Sequence, residues 1–282
     1  MRVAAVQLTS TSDASRNLRA AGALVDGAVN AGAELVALPE LFNRWGSAEE
    51  LRAGAEPLSG PTITWVREQA ARHGVWLLAG SIVERVEGST RHRNTSCLCT
   101  PTGEIAACYR KIHLFDVDVD GAAHHESATV VPGDEVVVAD AGPLVLGMSI
   151  CYDLRFPELF RIQALRGATA AVVPSAFTAA TGKDHWETLL RARAIENQVF
   201  VIAPNQRGQS TPTLSWHGRS MIVDPWGVVM AQAPDAECFV TADLDLDAQR
   251  EVRKRLPSLA NRRTETYVWP AGEARLENEE RS

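Results

Sequence analysis

The chain has 282 residues and a formal net charge of −7 at pH 7. Its hydrophobic fraction of 45% and charged fraction of 22% are typical of a globular protein, which excludes disorder over the whole length. The acidic balance argues against nucleic acid or an anionic membrane as the main partner, because both are bound through clustered Lys and Arg. The length alone fits either one large α/β domain or two smaller domains.

Apolar runs and helical patterns alternate through the first half of the chain. Pro61 at the start of one helical pattern and Gly74 just past its end are typical of a first-turn proline and a C-terminal glycine cap. In chain order, the pattern predicts a strand over 3–8, a helix over 17–30, a strand over 35–38, a helix over 61–73, and strands over 75–83 and 104–109.

The second half repeats this alternation. Asp184, with Glu187 three residues later, is expected to be the N-cap of a helix. Alternating elements favour an α/β fold, and a predicted hairpin indicates mixed rather than purely parallel sheets. In chain order, the pattern predicts a strand over 144–150, a helix over 157–167, a strand over 170–173, a helix over 184–197, a strand over 199–203, and a hairpin of strands 221–223 and 228–230.

The chain shows no internal linker. Because no stretch rich in Pro, Gly or Ser divides it, we predict one domain over residues 1–270. Residues 271–282 are rich in charge, and we expect them to form a solvated, flexible tail.

Five cysteines occur in the chain, an odd number that does not indicate a disulfide framework. Cys97 and Cys99 are separated by one residue rather than the roughly two to four of a zinc knuckle, so we expect them on opposite faces of a strand. The N-terminal residues lack the apolar core of a secretory signal, and no apolar stretch is long enough to span a membrane. These features predict a cytoplasmic protein.

Three chemically reactive residues, Glu40, Lys111 and Cys151, each follow the end of a predicted strand. In α/β sheets ligands bind outside the carboxyl ends of the strands, so positions far apart in sequence can meet there. Cys151 also precedes a predicted helix. The backbone N–H groups and dipole of that helix are expected to lower the pKa of the thiol toward the reactive thiolate.

Each of these residues has a functional and a structural interpretation. Cys151 is either a nucleophile or a buried structural cysteine. Glu40 is either an acid and base that exchanges the thiol proton with a leaving amine, or a helix cap or ion-pair partner in a loop. Lys111 is either an oxyanion stabiliser or a strand-end lysine that extends its ammonium to water. A papain-like pair with His113 or His185 as the base is a further alternative, although nothing in the local sequence supports it.

Three segments resemble a known family: residues 35–40 (LVALPE), 109–116 (YRKIHLFD) and 151–158 (CYDLRFPE). They are similar, in the same order, to the three signature segments of the nitrilase superfamily. Within it the chain most resembles the Nit branch of omega-amidases and deaminated-glutathione amidases. The resemblance covers residues 2–267, and the other stretches that carry it are 126–127, 132–133, 174–177, 181–186 and 191–198.

The resemblance implies a four-layer αββα sandwich and a Glu–Lys–Cys triad. By motif, Glu40 would be the general base and acid, Lys111 the oxyanion stabiliser, and Cys151 the nucleophile. Glu126 matches a frequent fourth residue that positions the substrate or the lysine. The backbone N–H of Tyr152 would join Lys111 at the oxyanion. No metal or organic cofactor is expected for this chemistry.

The resemblance also implies two kinds of partner. One is a small amide substrate, and the other is a second copy of the chain, packed through helices that include the one over 157–166. Neither nucleic acid nor a membrane is expected as a partner.

The sequence narrows the substrate only in part. Nitrilases proper commonly have Cys-Trp-Glu where this chain has Cys151-Tyr152-Asp153, so amide cleavage is favoured over nitrile cleavage. A carboxylated amide needs a cationic anchor, for which Arg155 is the candidate. A structural pair of Arg155 with Glu158, or a dimer contact, is the alternative.

Three further residues, Ser175, Ala176 and Phe177, are expected to line the pocket. The segment over 206–212 leaves open whether the substrate is a small ketoacid amide or a deaminated tripeptide. Two other functions stay open at this point: an N-carbamoyl or nitrile hydrolase on the same fold, and a catalytically idle dimeric binding protein.

Overall fold

A computed structural model describes residues 1–119, 122–211 and 214–267, so the predicted tail over 271–282 lies outside the described residues. Among the described helices, none is long and apolar enough to cross a membrane. The α-helices are α1 (Ala14–Asn30), α2 (Ala48–Ala53), α3 (Pro61–His73), α4 (Pro157–Leu165), α5 (Ala179–Asn197) and α6 (Leu246–Arg255), and the 3₁₀ helices are Glu126–Ala128, Cys151–Arg155 and Thr264–Thr266. The strands are β1 (Arg2–Leu8), β2 (Leu35–Ala37), β3 (Trp76–Leu78), β4 (Ile82–Arg85), β5 (His92–Cys99), β6 (Ile105–Arg110), β7 (Asp116–Val119), β8 (Ala122–His125), β9 (Val138–Ala141), β10 (Leu144–Met148), β11 (Ala170–Val172), β12 (Phe200–Ala203), β13 (Asn205–Thr211), β14 (Leu214–His217), β15 (Met221–Val223), β16 (Val229–Gln232) and β17 (Cys238–Asp243).

The burial pattern of β1 shows how two cores form on the two faces of one sheet. Val3 and Ala5 pack into a core shared with the second sheet, whereas Ala4 and Val6 pack under helices α1 and α3. Successive side chains of a strand point to opposite faces. The apolar run over 3–6 therefore lies between two layers.

Two sheets pack face to face, and each carries helices on its outer side. Among the described residues, the first sheet has nine strands, with the order β14-β13-β1-β2-β3-β5-β4, β17 beside β1 and β6 beside β5. The second sheet has six strands in the order β16-β15-β12-β11-β10-β9. Helices α1 and α3 cover the first sheet, and α4 and α5 cover the second. The predicted α/β class and four-layer αββα sandwich are confirmed.

Both sheets are mixed, as the sequence predicts. Strands β1, β2 and β3 run parallel, and so do β10, β11 and β12. The predicted hairpin is present, because β15 and β16 pair antiparallel beside β12. Strands β2, β6 and β10 end shortly before Glu40, Lys111 and Cys151, respectively, so all three residues follow the carboxyl ends of strands.

One predicted strand, over 75–83, is in fact the two strands β3 and β4. Gly80 between them has a φ of +59°, and a Cβ there would lie 2.0 Å from the carbonyl oxygen of Pro39. Only glycine permits both the left-handed backbone and this close approach. The connection therefore presses against the segment that leads into Glu40.

The prediction that Asp184 caps α5 is wrong. The helix begins at Ala179 with Thr178 as its N-cap, so Asp184 lies inside it. Gly182 is tolerated within the first turns because the helix packs tightly on β14. A Cβ at Gly182 would lie only 2.4 Å from the Cβ of His217, and this packing offsets the low helix propensity of glycine.

The expectation for Cys97 and Cys99 is also wrong. Both side chains pack under the helices, whereas Leu98 between them faces the core between the sheets. Residues two apart in a strand share a face, so this pair is part of one apolar core. All five cysteines are free thiols.

Candidate active site

Glu40 and Lys111 meet where β2 and β6 end. Both are almost fully buried, at 3% and 2% exposure, and Nζ of Lys111 lies 3.0 Å from Oε1 of Glu40. The second oxygen of Glu40, Oε2, accepts a 2.8 Å hydrogen bond from the backbone N–H of Ala176, in the loop after β11. The carboxylate is thus held by groups from both sheets.

Glu126 brings a second carboxylate to the same ammonium. It begins the 3₁₀ helix that follows the β7–β8 hairpin, and its Oε2 lies 2.9 Å from Nζ of Lys111. The same oxygen accepts a 2.7 Å hydrogen bond from the backbone N–H of Phe115. Lys111 therefore lies between two carboxylates.

The charge of Lys111 is set by these neighbours. Burial alone would lower the pKa of the ammonium, but the charges of Glu126, Glu40 and Cys151 outweigh it and hold the pKa well above its ordinary value. Lys111 is consequently a fixed cation at neutral pH.

Asn94, on β5, is a member of this cluster that the sequence analysis missed. It is 4% exposed, and its side-chain amide donates a 2.8 Å hydrogen bond to Oε1 of Glu40. Residues 92–96 of β5 are polar at every position, so their pattern does not single out Asn94. Nothing in that pattern points to Glu40 as the partner.

Cys151 occupies a tight turn beyond the end of β10. Its φ is +49°, a left-handed conformation that is uncommon for a residue with a Cβ. Its backbone N–H donates to the carbonyl of Pro174 at 2.9 Å. The turn places Cys151 in the wall of the cavity that also contains Glu40 and Lys111.

A buried carboxylate stabilises this turn. Asp153 is fully buried, and its Oδ2 accepts hydrogen bonds of 2.8 Å from the backbone N–H of Ile150 and 2.7 Å from the hydroxyl of Tyr109. Its Oδ1 lies 2.7 Å from Nδ1 of His113. Sequence analysis treated Asp153 only as part of a motif. It is a structural support of the Cys151 turn.

The structure gives no support to a papain-like pair. His113 is paired with Asp153 and its ring stacks on Phe156 at 3.6 Å, whereas His185 contacts Arg155. Neither histidine lines the cavity. Glu40 and Lys111 are the ionisable groups that act most strongly on Cys151.

The prediction that the helix lowers the pKa of Cys151 is wrong. Burial raises the pKa of the thiol well above its ordinary value, and the negative charge of Glu40 raises it further, against the opposing effect of Lys111. Cys151 is the first residue of a five-residue 3₁₀ helix, and the partial charge of that helix does not overcome these effects. The resting thiol is therefore protonated at neutral pH.

The cavity has a volume of about 260 Å³ and includes a cation with aromatic neighbours. The guanidinium carbon of Arg155 lies 5.2 Å from the ring centre of Phe177 and 5.8 Å from that of Tyr152. Arg155 is half-buried, and among the described residues no carboxylate forms an ion pair with it, Glu158 included. Such stacking holds the charge in place, and one nitrogen of the guanidinium, Nη1, also contacts Nδ1 of His185 at 3.2 Å.

The three predicted pocket residues after β11 occupy different places. Ala176 and Phe177 line the cavity, as do Tyr152 and Arg155. Ser175 does not: its hydroxyl donates to the carbonyl of Val173 at 3.0 Å.

Part of the cavity wall is apolar. Trp45 and Trp216 pack edge to face, with ring centres 4.4 Å apart, and aliphatic side chains complete the wall. Sequence analysis did not identify these residues, because Trp45 lies in a loop and Trp216 in a short strand, each without a periodic pattern. The aliphatic members are Leu41, Leu51, Val83 and Val130.

The opposing effects on the thiol yield a first prediction. Replacing Glu40→Gln removes the negative charge that disfavours the thiolate but keeps Lys111, so the pKa of Cys151 should fall. Thiolate formation, followed by ultraviolet absorbance and corrected with a matching Cys151→Ala protein, should then shift to lower pH. The exposed Glu87→Gln change is the control and should leave the titration of Cys151 in place. An upward shift in Glu40→Gln would contradict the electrostatic account.

Comparison with known proteins places the chain in a family. The carbon-nitrogen hydrolase family matches residues 2–254. The chain is 44% identical to the deaminated glutathione amidase of Synechocystis sp., covering 92% of this chain and 97% of that protein, and 39% identical to human omega-amidase NIT2, covering 95% and 96%. The crystal structure of Saccharomyces cerevisiae Nit3, of branch 10 of the nitrilase superfamily, superposes with a TM-score of 0.83 at 33% identity, covering 91% of this chain and 94% of that one. The chain therefore belongs to the carbon-nitrogen hydrolase family, within the nitrilase superfamily.

Proposed function

We propose that this carbon-nitrogen hydrolase is an amidase that cleaves small carboxylated amides through a thioester on Cys151. The proposed activity is of the omega-amidase or deaminated-glutathione amidase type, carried by one catalytic unit over residues 1–270. The observation that carries the proposal is the convergence of Glu40, Lys111 and Cys151 on a cavity that is also lined by Arg155, which has no carboxylate partner among the described residues. The names of the similar proteins support the same activity.

The first half-reaction forms the thioester. Because the resting thiol is protonated, Glu40 takes its proton as the sulfur of Cys151 attacks the amide carbonyl carbon. The negative charge that develops on the carbonyl oxygen is stabilised by the ammonium of Lys111 and by the backbone N–H of Tyr152. Glu40 then gives the proton to the leaving nitrogen, the carbon–nitrogen bond breaks, and ammonia or an amine departs.

The second half-reaction releases the acid. Glu40 takes a proton from a water molecule, whose oxygen attacks the thioester carbonyl. The carbon–sulfur bond then breaks, and the proton held by Glu40 returns to the sulfur of Cys151. The carboxylate of Glu40 thus serves as base and as acid in both half-reactions, and the protonated thiol of Cys151 is regenerated.

Glu126 serves this chemistry by orienting Lys111. Its carboxylate contacts the ammonium at 2.9 Å and is itself fixed by the backbone N–H of Phe115. A lysine held from two sides has few rotamers available, so its charge is already in place when the oxyanion forms.

The substrate carboxylate is assigned to Arg155. Its guanidinium is held over two aromatic rings at the edge of the cavity and has no acidic partner among the described residues. A planar guanidinium suits a carboxylate because it can donate two parallel hydrogen bonds. The apolar wall around Trp45 and Trp216 suits the uncharged part of the substrate.

The working assembly is proposed to be a homodimer in the cytoplasm. Apolar side chains of α4 and α5 are exposed, with Ile162 at 40%, Leu165 at 52% and Ile195 at 47%. Trp226, 59% exposed, precedes Gly227, whose carbonyl accepts a 2.8 Å hydrogen bond from Arg191 of α5. These neighbouring elements form an apolar patch of the kind that a second copy covers.

The central test is release of ammonia from a panel of amides. We expect turnover of 2-oxoglutaramate-type amides or hydrolysis of deaminated glutathione, and loss of at least about a thousandfold of that activity in Cys151→Ala. Cys238→Ala, which changes a cysteine outside the cavity, is the matched control. Carbon dioxide released together with ammonia would instead indicate a carbamoyl hydrolase. Turnover of nitriles alone would indicate a nitrilase, and the absence of any acyl adduct on Cys151 across the panel would indicate an idle binding protein.

The assignment of Arg155 predicts a change in selectivity. Arg155→Met should lower kcat/KM for a carboxylated amide by about a hundredfold, because the lost charge-assisted hydrogen bonds contribute roughly 1.5–3 kcal/mol. A neutral amide of the same length should be affected much less, and Arg155→Lys should retain part of the activity. Equal losses on both substrates would show that Arg155 has only a structural role.

The dimer patch is tested by oligomeric state. Ile195→Asp should convert a dimer to a monomer in sedimentation velocity, because it buries an unpaired charge at the interface. Ile105→Asp introduces the same charge at a residue that is 38% exposed and lies outside the patch, so it should remain a dimer. A wild-type monomer at micromolar concentration would refute the proposal.

A further inference from the structure

We infer that Asn94 is a positioning residue that keeps Glu40 and Glu126 ionised together, by donating the two hydrogens of its amide nitrogen to the two carboxylates. The inference deepens the proposed function, because it rests on Glu40 acting as the base for Cys151. It concerns a residue that neither touches the reacting atoms nor belongs to any of the three signature segments.

The geometry centres on one nitrogen atom. Nδ2 of Asn94 lies 2.8 Å from Oε1 of Glu40 and 3.4 Å from Oε1 of Glu126. Nζ of Lys111 contacts the same two oxygens, at 3.0 and 3.1 Å. The two carboxylates are therefore linked twice, once by a cation and once by a neutral amide.

The charges show why the second link is needed. The buried carboxylate of Glu40 and the partly buried carboxylate of Glu126, whose side chain is 18% exposed, share one ammonium, so two negative charges face one positive charge. Carboxylates this close together disfavour each other's ionisation, and one of them tends to keep a proton. A proton retained on Glu40 would prevent it from accepting the proton of Cys151. A neutral donor stabilises both anions without adding charge.

The orientation of the Asn94 amide follows from its neighbours. Both groups that it contacts at this end are acceptors, so the nitrogen rather than the oxygen must face them. An aspartate of the same shape would present oxygen to oxygen at this point. Asparagine is thus specified by its donor hydrogens and not by its size.

The backbone of Asn94 adds a constraint on the lysine. Its carbonyl oxygen accepts a 2.9 Å hydrogen bond from the backbone N–H of Lys111. This bond extends the pairing of β5 with β6 by one residue beyond Arg110, which is opposite Thr95. Asn94 therefore contacts the side chains of Glu40 and Glu126 and the backbone of Lys111.

The experiment measures how fast iodoacetamide alkylates Cys151 between about pH 5 and pH 9. Peptide mass spectrometry reads the modification of Cys151 apart from that of the other cysteines. Wild type is compared with Asn94→Asp, which replaces the donor by an acceptor, and with Asn94→Leu, which removes it without adding charge. Ser96→Ala is the control, because it removes a buried hydroxyl from the same face of β5 outside the cavity wall.

If Asn94 keeps the carboxylates ionised, the acidic limb of the alkylation profile shifts to higher pH by about one unit in Asn94→Leu and by more in Asn94→Asp. At a pH on that limb the rate constant then falls roughly tenfold. Ser96→Ala should keep the wild-type limb. Rate constants of the folded protein do not depend on its yield, so a lower yield of a variant does not obscure the result.

A rate constant that falls by the same factor at every pH would overturn the inference, and so would an unmoved limb in both Asn94 variants. The proposed function is judged separately, because alkylation requires no substrate. Wild-type protein that shifts as expected but cleaves no amide would refute the amidase proposal and leave the role of Asn94 intact.

Discussion

The site depends on two carboxylates, buried Glu40 and partly buried Glu126, held against one buried ammonium. Removing a carboxylate from water costs several kcal/mol unless hydrogen bonds and an opposite charge compensate it. Here Glu40 and Glu126 share the single ammonium of Lys111, and each also accepts a hydrogen bond from a backbone N–H group, in the loops after β11 and β6, respectively. Both loops have to be in place for the cluster to be stable. The hydrogen bonds that hold the reactive carboxylates therefore also connect the two sheets.

The sandwich architecture supplies these groups at one point. Glu40 follows a strand of the first sheet, Cys151 follows a strand of the second, and Lys111 follows an edge strand paired with β5. The backbone N–H of Ala176 crosses from the second sheet to Glu40. Because both sheets end their parallel strands on the same side of the molecule, side chains more than a hundred residues apart meet without a long loop. Rigid strands hold the reactive atoms more precisely than loops would.

Periodicity and strand-end chemistry predicted much of this from the sequence. The alternation of elements predicts the α/β class, and the positions of Glu40, Lys111 and Cys151 after strand ends indicate that they can meet. Their assignment as a triad comes from the resemblance of three segments to the nitrilase superfamily, because the local chemistry leaves a structural interpretation open for each residue. The break at Gly80, the start of α5 at Ala179 and the role of Asn94 depend on contacts between distant segments, which leave no periodic trace. The pKa of Cys151 was predicted in the wrong direction, because burial is a property of the whole fold and outweighs one helix end.

The protonated state of Cys151 has a consequence for the life of the enzyme in a cell. Thiolates are oxidised by peroxides and bind adventitious metal ions. A protonated, buried thiol reacts more slowly with both. In the proposed mechanism the sulfur acquires its negative character as Glu40 removes its proton during attack on a bound carbonyl. Because burial raises the pKa of Cys151, we expect its thiol to be oxidised more slowly between turnovers than an exposed thiol with an ordinary pKa.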